Sequence, residues 1–189
     1  MTDTRRSSGR VQFLIIAAVF FGPLLFASWL YYQGDALQPD SRANHGALLE
    51  PIVSLQDAVP ESPIHALRLW LLVYANDRAC DEDCLAGLYT IRQSRLMLGK
   101  EMDRLARVFL HGDLPPDTLL LADEHKGLIA LQDPALRAVL DNKKPDTLEA
   151  GGYYLIDPHG NLVLYFSPDI NPRDMVDDIK RLLKLSRIG

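Results

Sequence analysis

Phosphate-binding glycine loops, a serine nucleophile elbow and a His-x-x-x-His pair are all missing from these 189 residues. Each absence removes a class of chemistry. Without the glycine loop no row of backbone N–H groups is laid out for nucleotide phosphates, and without the elbow no acyl-transfer serine is presented. No carboxylate pair stands at a distinctive spacing. Repeats and low-complexity tracts are lacking too, and charge is spread along the chain rather than gathered in blocks. Twenty basic against 25 acidic residues give a formal charge of −5. That is the wrong sign for a face that must neutralise phosphates, so no nucleic-acid partner is expected. Cysteine is as scarce as tryptophan, with two of each in the whole chain.

Against this background one apolar stretch stands out. Residues 11–32 read VQFLIIAAVFFGPLLFASWLYY, without a charge. As a helix such a run spans roughly 30 Å, the thickness of the hydrocarbon layer. Gly22 and Pro23 are tolerated in a spanning helix, and Trp29, Tyr31 and Tyr32 suit the headgroup level. Arg5, Arg6 and Arg10 precede the run, whereas Asp35 and Asp40 follow it. The positive-inside tendency places residues 1–10 in the cytoplasm and the rest beyond the membrane, on the periplasmic or equivalent intermembrane side. A cleaved signal peptide would have a shorter apolar region and a small-residue cleavage site. The expectation is therefore a single-pass inner-membrane protein. Residues 33–63, rich in Pro, Asp, Ser, Gly and Asn, read as a tether whose apolar patches at 47–49 and 52–55 can lie against a domain as short strand structure.

Residues 64–189 form one domain by length. The apolar run at 66–75 reads as a strand buried on both faces. After a polar loop the period changes: Leu85, Leu88, Ile91 and Leu98 share a helical face, with Asp81 or Asp83 as N-cap and Gly99 closing the end. A second strand is expected at 105–110, one or two helices at 116–141 broken near Gly127 and restarted near Pro134, and a hairpin of strands at 153–157 and 161–166. An amphipathic helix over 172–185 closes the chain, with Met175, Ile179, Leu182 and Leu183 facing inward. Strand, helix, strand implies a right-handed parallel crossover. With a hairpin and a last helix added, the fold class is α/β: a thioredoxin-like mixed sheet with flanking helices, plus the N-terminal transmembrane helix.

Both cysteines fall in the loop between the first strand and its helix, as Cys80-Asp81-Glu82-Asp83-Cys84. Beyond the membrane two thiols this close can form a disulfide, exchange disulfides with a partner, or hold a soft metal such as Cu(I). A first-turn position favours the thiolate, and three neighbouring carboxylates oppose it. The plain alternative is a structural disulfide that pins the loop. Of the histidines, His45 sits in the tether, His65 before the first strand, and His159 in a polar turn. His111 ends the second strand, on the cysteine side of a parallel sheet.

The CxxxC between strand and helix, followed later by Tyr154-Leu155-Ile156-Asp157-Pro158-His159-Gly160, resembles the Sco (SenC/PrrC-type) family. That resemblance implies a membrane-anchored thioredoxin-fold factor in cytochrome c oxidase assembly. It also implies copper as the bound metal, and a respiratory oxidase subunit or another oxidase assembly factor as partner. Cys80 and Cys84 would be the thiol-exchange and copper residues. The family's third copper ligand is a histidine eleven residues before the hairpin glycine; counting back from Gly160, that position holds Glu149. Other departures are Asp81-Glu82-Asp83 and Leu85 where the family carries prolines, and Gly152 where thioredoxins have one. A copper handler, a thiol–disulfide oxidoreductase, and an interaction module with a structural disulfide all remain open at this stage.

Overall fold

The computed structural model describes residues 5–32, 44–114, 121 and 123–186. The chain divides into two compact units, Met1–Ala43 and Asn44–Gly189. The first contains helix α1 (Arg5–Tyr32), with Pro23 inside it. Among the described residues α1 alone is long and apolar enough to cross a membrane, over Gly9–Trp29, and none of that stretch is buried. Leu14, Phe20, Leu25 and Trp29 all point outward, an arrangement that water would penalise and lipid would not.

The second unit is built on a six-stranded sheet in the order β1-β6-β5-β2-β3-β4. Its strands are β1 (Ala47–Ser54), β2 (Trp70–Asn76), β3 (Leu105–His111), β4 (Leu128–Leu131), β5 (Tyr153–Ile156) and β6 (Asn161–Phe166). β2, β3 and β4 run parallel, while β5, β6 and β1 are antiparallel to their neighbours. A four-residue turn of helix, α2 (Leu55–Ala58), follows β1 directly. Helices α3 (Glu82–Met97) and α5 (Pro172–Leu185) cover one face with Leu88, Ile91, Met175 and Ile179. Helix α4 (Pro134–Lys143) and α2 cover the other with Leu136, Leu140 and Leu55, packed with Leu49 of β1. Covered on both sides, the central strand β2 is buried from Trp70 to Ala75, which is why its sequence shows no alternation.

Four expectations need correction. The tether read at 33–63 is shorter than that: β1 and α2 belong to the domain, because Leu49, Leu55 and Val59 fill the second core cluster. Strand β2 starts at Trp70 rather than at 66. Pro63 opens a 3-10 turn (Pro63–Ala66), and Arg68, at φ +48°, turns the chain before extension begins. Between the expected break near Gly127 and the restart at Pro134, the chain is not a mere interruption but forms β4, in which Leu128, Ile129, Ala130 and Leu131 pair with β3. A four-residue apolar run carries too few positions for a period to show. Leu121, Asp123 and Glu124 are helical, and the parts of the expected helix at 116–120 and 122 lie outside the described residues. Lastly, Leu85 does not join the core face of α3 and is 38% exposed.

Candidate functional site

β2 and β3 are parallel and in register, Asn76 beside His111, so the loops that follow them leave the same end of the sheet. The cysteines lie there. Asp81 caps α3, its side chain accepting the Cys84 N–H at 3.1 Å. Glu82 and Asp83 begin the helix and are exposed. Cys80 and Cys84 are joined in a disulfide with Cα atoms 5.0 Å apart. Their surroundings differ: Cys84 is 1% exposed, whereas Cys80 is half-buried. An incoming nucleophile therefore meets Cys80 Sγ first.

The floor beneath the disulfide is aromatic, and sequence reasoning missed it. Tyr74 pairs with Phe109 on one side and Tyr153 on the other, a single rung across three strands. Its ring centroid lies 5.8 Å from that of Phe109 and 5.5 Å from that of Tyr153. Helix α3 can sit close because residue 87 is glycine: a Cβ there would lie 2.5 Å from Tyr74 Cζ. The Tyr74 hydroxyl is pushed up to about 12, by burial first, then by Tyr153, Asp81 and Asp83, with Arg78 opposing. The acidic cysteine loop is thus close enough to Tyr74 to be felt electrostatically. The sequence alone carries no signal for it, since Tyr74, Phe109 and Tyr153 align only once the strands are paired in register.

His111 reaches the cysteine end as expected. Its Nδ1 stands 2.8 Å from the Gly112 carbonyl, so that nitrogen donates, and its ring lies 6.0 Å from Phe109. Beside it opens a cleft of about 560 Å3 that includes Asp77, Asp133, Arg137 and Asp141. Arg137 ties this cleft together, donating to Asp77 at 2.6 Å and to Asp141 at 2.8 Å.

Glu149 precedes β5 at this same end of the sheet, with its side chain exposed. Its backbone carbonyl accepts the Tyr165 hydroxyl, which in turn accepts the Gly152 N–H at 3.0 Å. Gly152 has no room for a side chain: a Cβ would meet the Phe166 carbonyl. Among the described residues no group of three or more His, Cys, Asp or Glu is placed to hold a metal. Cys80, Cys84 and Glu149 are therefore not gathered into one donor set. The remaining histidines lie elsewhere. His159 is exposed in its turn, and His65 sits 2.9 Å from the Val59 carbonyl. His45, expected in the tether, is fixed to the domain through the buried Asp178.

Comparison with known proteins agrees with the fold. A search of curated protein sequences found no match. Among solved structures, yeast Sco1 has 18% identity and a TM-score of 0.51, over 65% of this chain and 85% of that one. Copper-bound ScoI of Arabidopsis thaliana has 15% identity and a TM-score of 0.50, over 65% and 89% respectively. Identities this low establish the fold, which is the thioredoxin-like one that the element order implied. A family model described as "transmembrane-like, N-terminal domain" matches residues 2–34. With the exposed apolar face of α1, this makes the chain a single-pass anchored protein. A second model, "transmembrane-like, thioredoxin-like, C-terminal domain", matches residues 70–186. Spanning more than half of the sequence, and with the disulfide at the start of α3, that match makes the chain a member of the transmembrane-like, thioredoxin-like family.

Proposed function

We propose that the protein is a membrane-anchored thiol–disulfide factor of cytochrome c oxidase assembly, facing the periplasm or intermembrane side and acting through Cys80 and Cys84. The carrying observation is the pairing of a half-buried Cys80 with a buried Cys84 at the start of a capped helix. A client thiolate attacks Cys80 Sγ, and the bond to Cys84 breaks with Cys84 leaving as thiolate. A second client thiol, deprotonated, then attacks its own sulfur in the mixed disulfide and releases Cys80. The client loses two electrons and two protons, and the CxxxC pair gains them. Run backwards, with the pair reduced beforehand by a dithiol donor, the same steps reduce a client disulfide.

Copper enters this reading as cargo. The reduced pair would offer two soft thiolates, which suit Cu(I), while Glu149 is a hard and exposed donor. The donor set therefore favours thiol exchange over a persistent three-ligand copper site. A second reading has its own support: Asp81 caps the Cys84 N–H within the loop that the disulfide closes. A purely structural bridge that holds an interaction module in shape would use the same arrangement.

The test replaces both cysteines by serine in cells that make the protein. Folding is checked by protease resistance, and the copper content and activity of the oxidase are measured. Loss of oxidase maturation with the domain still folded is expected. Full oxidase maturation in that variant would remove the thiol reading and leave the interaction module.

A further inference from the structure

A second polar site lies beneath α3, toward the β4 edge and apart from the cysteines. β3 reads Leu-Ala-Arg-Val-Phe-Leu, an apolar strand interrupted by one charge, Arg107. Alternation puts Arg107 on the same face as Leu105 and Phe109, under α3. The residue is only 4% exposed. Its Nη2 donates to the Lys126 carbonyl at 2.6 Å, but among the described residues Nε and Nη1 have no hydrogen-bond partner. His125, also 4% exposed, has an Nδ1 with no partner among the described residues. A buried cation with unmet donors is strongly unfavourable unless something compensates it.

Arg107 opens into a cleft of about 230 Å3, lined also by Arg92, Arg95, Leu96, Asp123, Glu124 and Lys126. Four cations and two carboxylates line it, and of the cations Arg95 also pairs with the exposed Asp103 at 3.3 Å and donates to the Leu105 carbonyl. No ion pair within 4.0 Å joins Arg107 to Asp123, Glu124 or any other described acid. Repulsion adds to burial: the Arg107 guanidinium is held below its ordinary range by burial first, then by Arg95 and Arg92. His125 is likewise pushed down by burial, Arg107 and Arg92.

We propose that this cleft binds a phosphate group, with Arg107 at its floor and Arg92 and Lys126 at its rim. A phosphate dianion offers several acceptor oxygens to guanidinium donors and offsets more of the excess charge than a carboxylate can. Its carrier is either the free ion or the headgroup of a phosphomonoester lipid, both of which a membrane-anchored domain meets.

The test uses the full chain in detergent micelles, titrated with inorganic phosphate at constant ionic strength. Binding is read by calorimetry and by the rise in melting temperature that a ligand of the folded state must produce. The same protein in nanodiscs of phosphatidylcholine, with and without phosphatidic acid, tests the lipid as source. Saturable binding is expected, at least tenfold weaker in Arg92→Ala and absent in Arg107→Met. Without phosphate, Arg107→Met should melt no lower than the native chain, because it removes an unpaired buried charge. If Arg107→Met fails to fold, Arg92→Ala carries the decision. Binding to phosphatidic acid alone assigns the site to lipid, and binding to inorganic phosphate alone assigns it to the free ion. No binding from either source, equal affinity for acetate, or binding unchanged in Arg92→Ala would overturn the proposal.

Discussion

Gly87→Ala is a small change with a sharp expectation, because it sets two known effects against each other. Residue 87 lies inside α3, where alanine normally stabilises a helix by about 1 kcal/mol over glycine. The added methyl, however, would stand 2.5, 2.8 and 2.9 Å from three ring carbons of Tyr74. Carbon atoms prefer roughly 3.5–4.0 Å, so the ring must retreat by about 1 Å. Phe109 and Tyr153 hold it on both sides, and Tyr74 is only 6% exposed. Overpacking of such a site costs about 1–3 kcal/mol, which leaves Gly87→Ala neutral to about 2 kcal/mol destabilising. The decisive comparison is a double-mutant cycle with Tyr74→Leu, followed by urea unfolding and tyrosine near-ultraviolet circular dichroism. In the leucine background the clash is gone, and alanine should stabilise by about 1 kcal/mol. A coupling of about 1–3 kcal/mol is expected. An identical effect of Gly87→Ala in both backgrounds would refute the close packing of α3 on Tyr74.

Three further outcomes follow from particular contacts. Asp81→Asn with Asp83→Asn keeps the N-cap, since asparagine caps well, but removes two charges beside the thiols. Reduced protein should then react with iodoacetamide at neutral pH about 3–10 times faster, on the order of 1 kcal/mol of thiolate stabilisation, and an unchanged rate would mean that the acids do not govern Cys80. Tyr74, raised to about 12 from the ordinary 10.0, stays neutral in the folded state where the unfolded chain begins to ionise. Its contribution is full below pH 10 and is lost as pH rises toward 12, on the order of 2–3 kcal/mol. Tyr74→Phe should therefore flatten the alkaline limb of the stability–pH curve, and an unaltered limb would contradict the assignment. Finally, the Asp178 carboxylate, 1% exposed, accepts the backbone N–H groups of His45 at 2.7 Å and Gly46 at 2.9 Å. Asp178→Ala should cost about 2–4 kcal/mol and speed amide exchange in β1, whereas native exchange there would show that β1 is held by pairing with β6 alone.

Much of this fold was legible where pattern had room to repeat. Helix α5 has Met175, Ile179 and Leu183 at helical spacing and spans Pro172–Leu185, as its period predicts. The β5–β6 hairpin followed from two apolar runs around a Pro-His-Gly turn, with Gly160 at φ +83°. β4 and β1 were less legible because edge strands are partly exposed and defined by a neighbour distant in sequence, and β4 has only four residues. The cysteine pair was legible as a site because it interrupts a strand–helix junction. What surrounds it was not, since Tyr74, Phe109 and Tyr153 become neighbours only through register. Glu149 shows the converse. Counting along the chain assigned it a ligand position, whereas the fold leaves it exposed, with no group of three or more metal-binding side chains gathered among the described residues. Arg107 was visible as a charge in an apolar strand, but only burial and unmet donors give that charge meaning.

The account rests on Cys80 being the sulfur joined to the client in the mixed disulfide, with Cys84 the thiol that leaves when a client is oxidised and that attacks Cys80 to resolve the intermediate when a client is reduced. Trapping tests this most directly: Cys84→Ser and Cys80→Ser variants are expressed in the native host, and membranes are run on non-reducing gels after acid quenching. Cys84→Ser is predicted to give a discrete higher-mass band that collapses on reduction and contains an oxidase subunit or assembly factor, and Cys80→Ser to give none. No adduct from either variant, together with normal oxidase activity in both, would contradict thiol exchange and leave the disulfide as a brace.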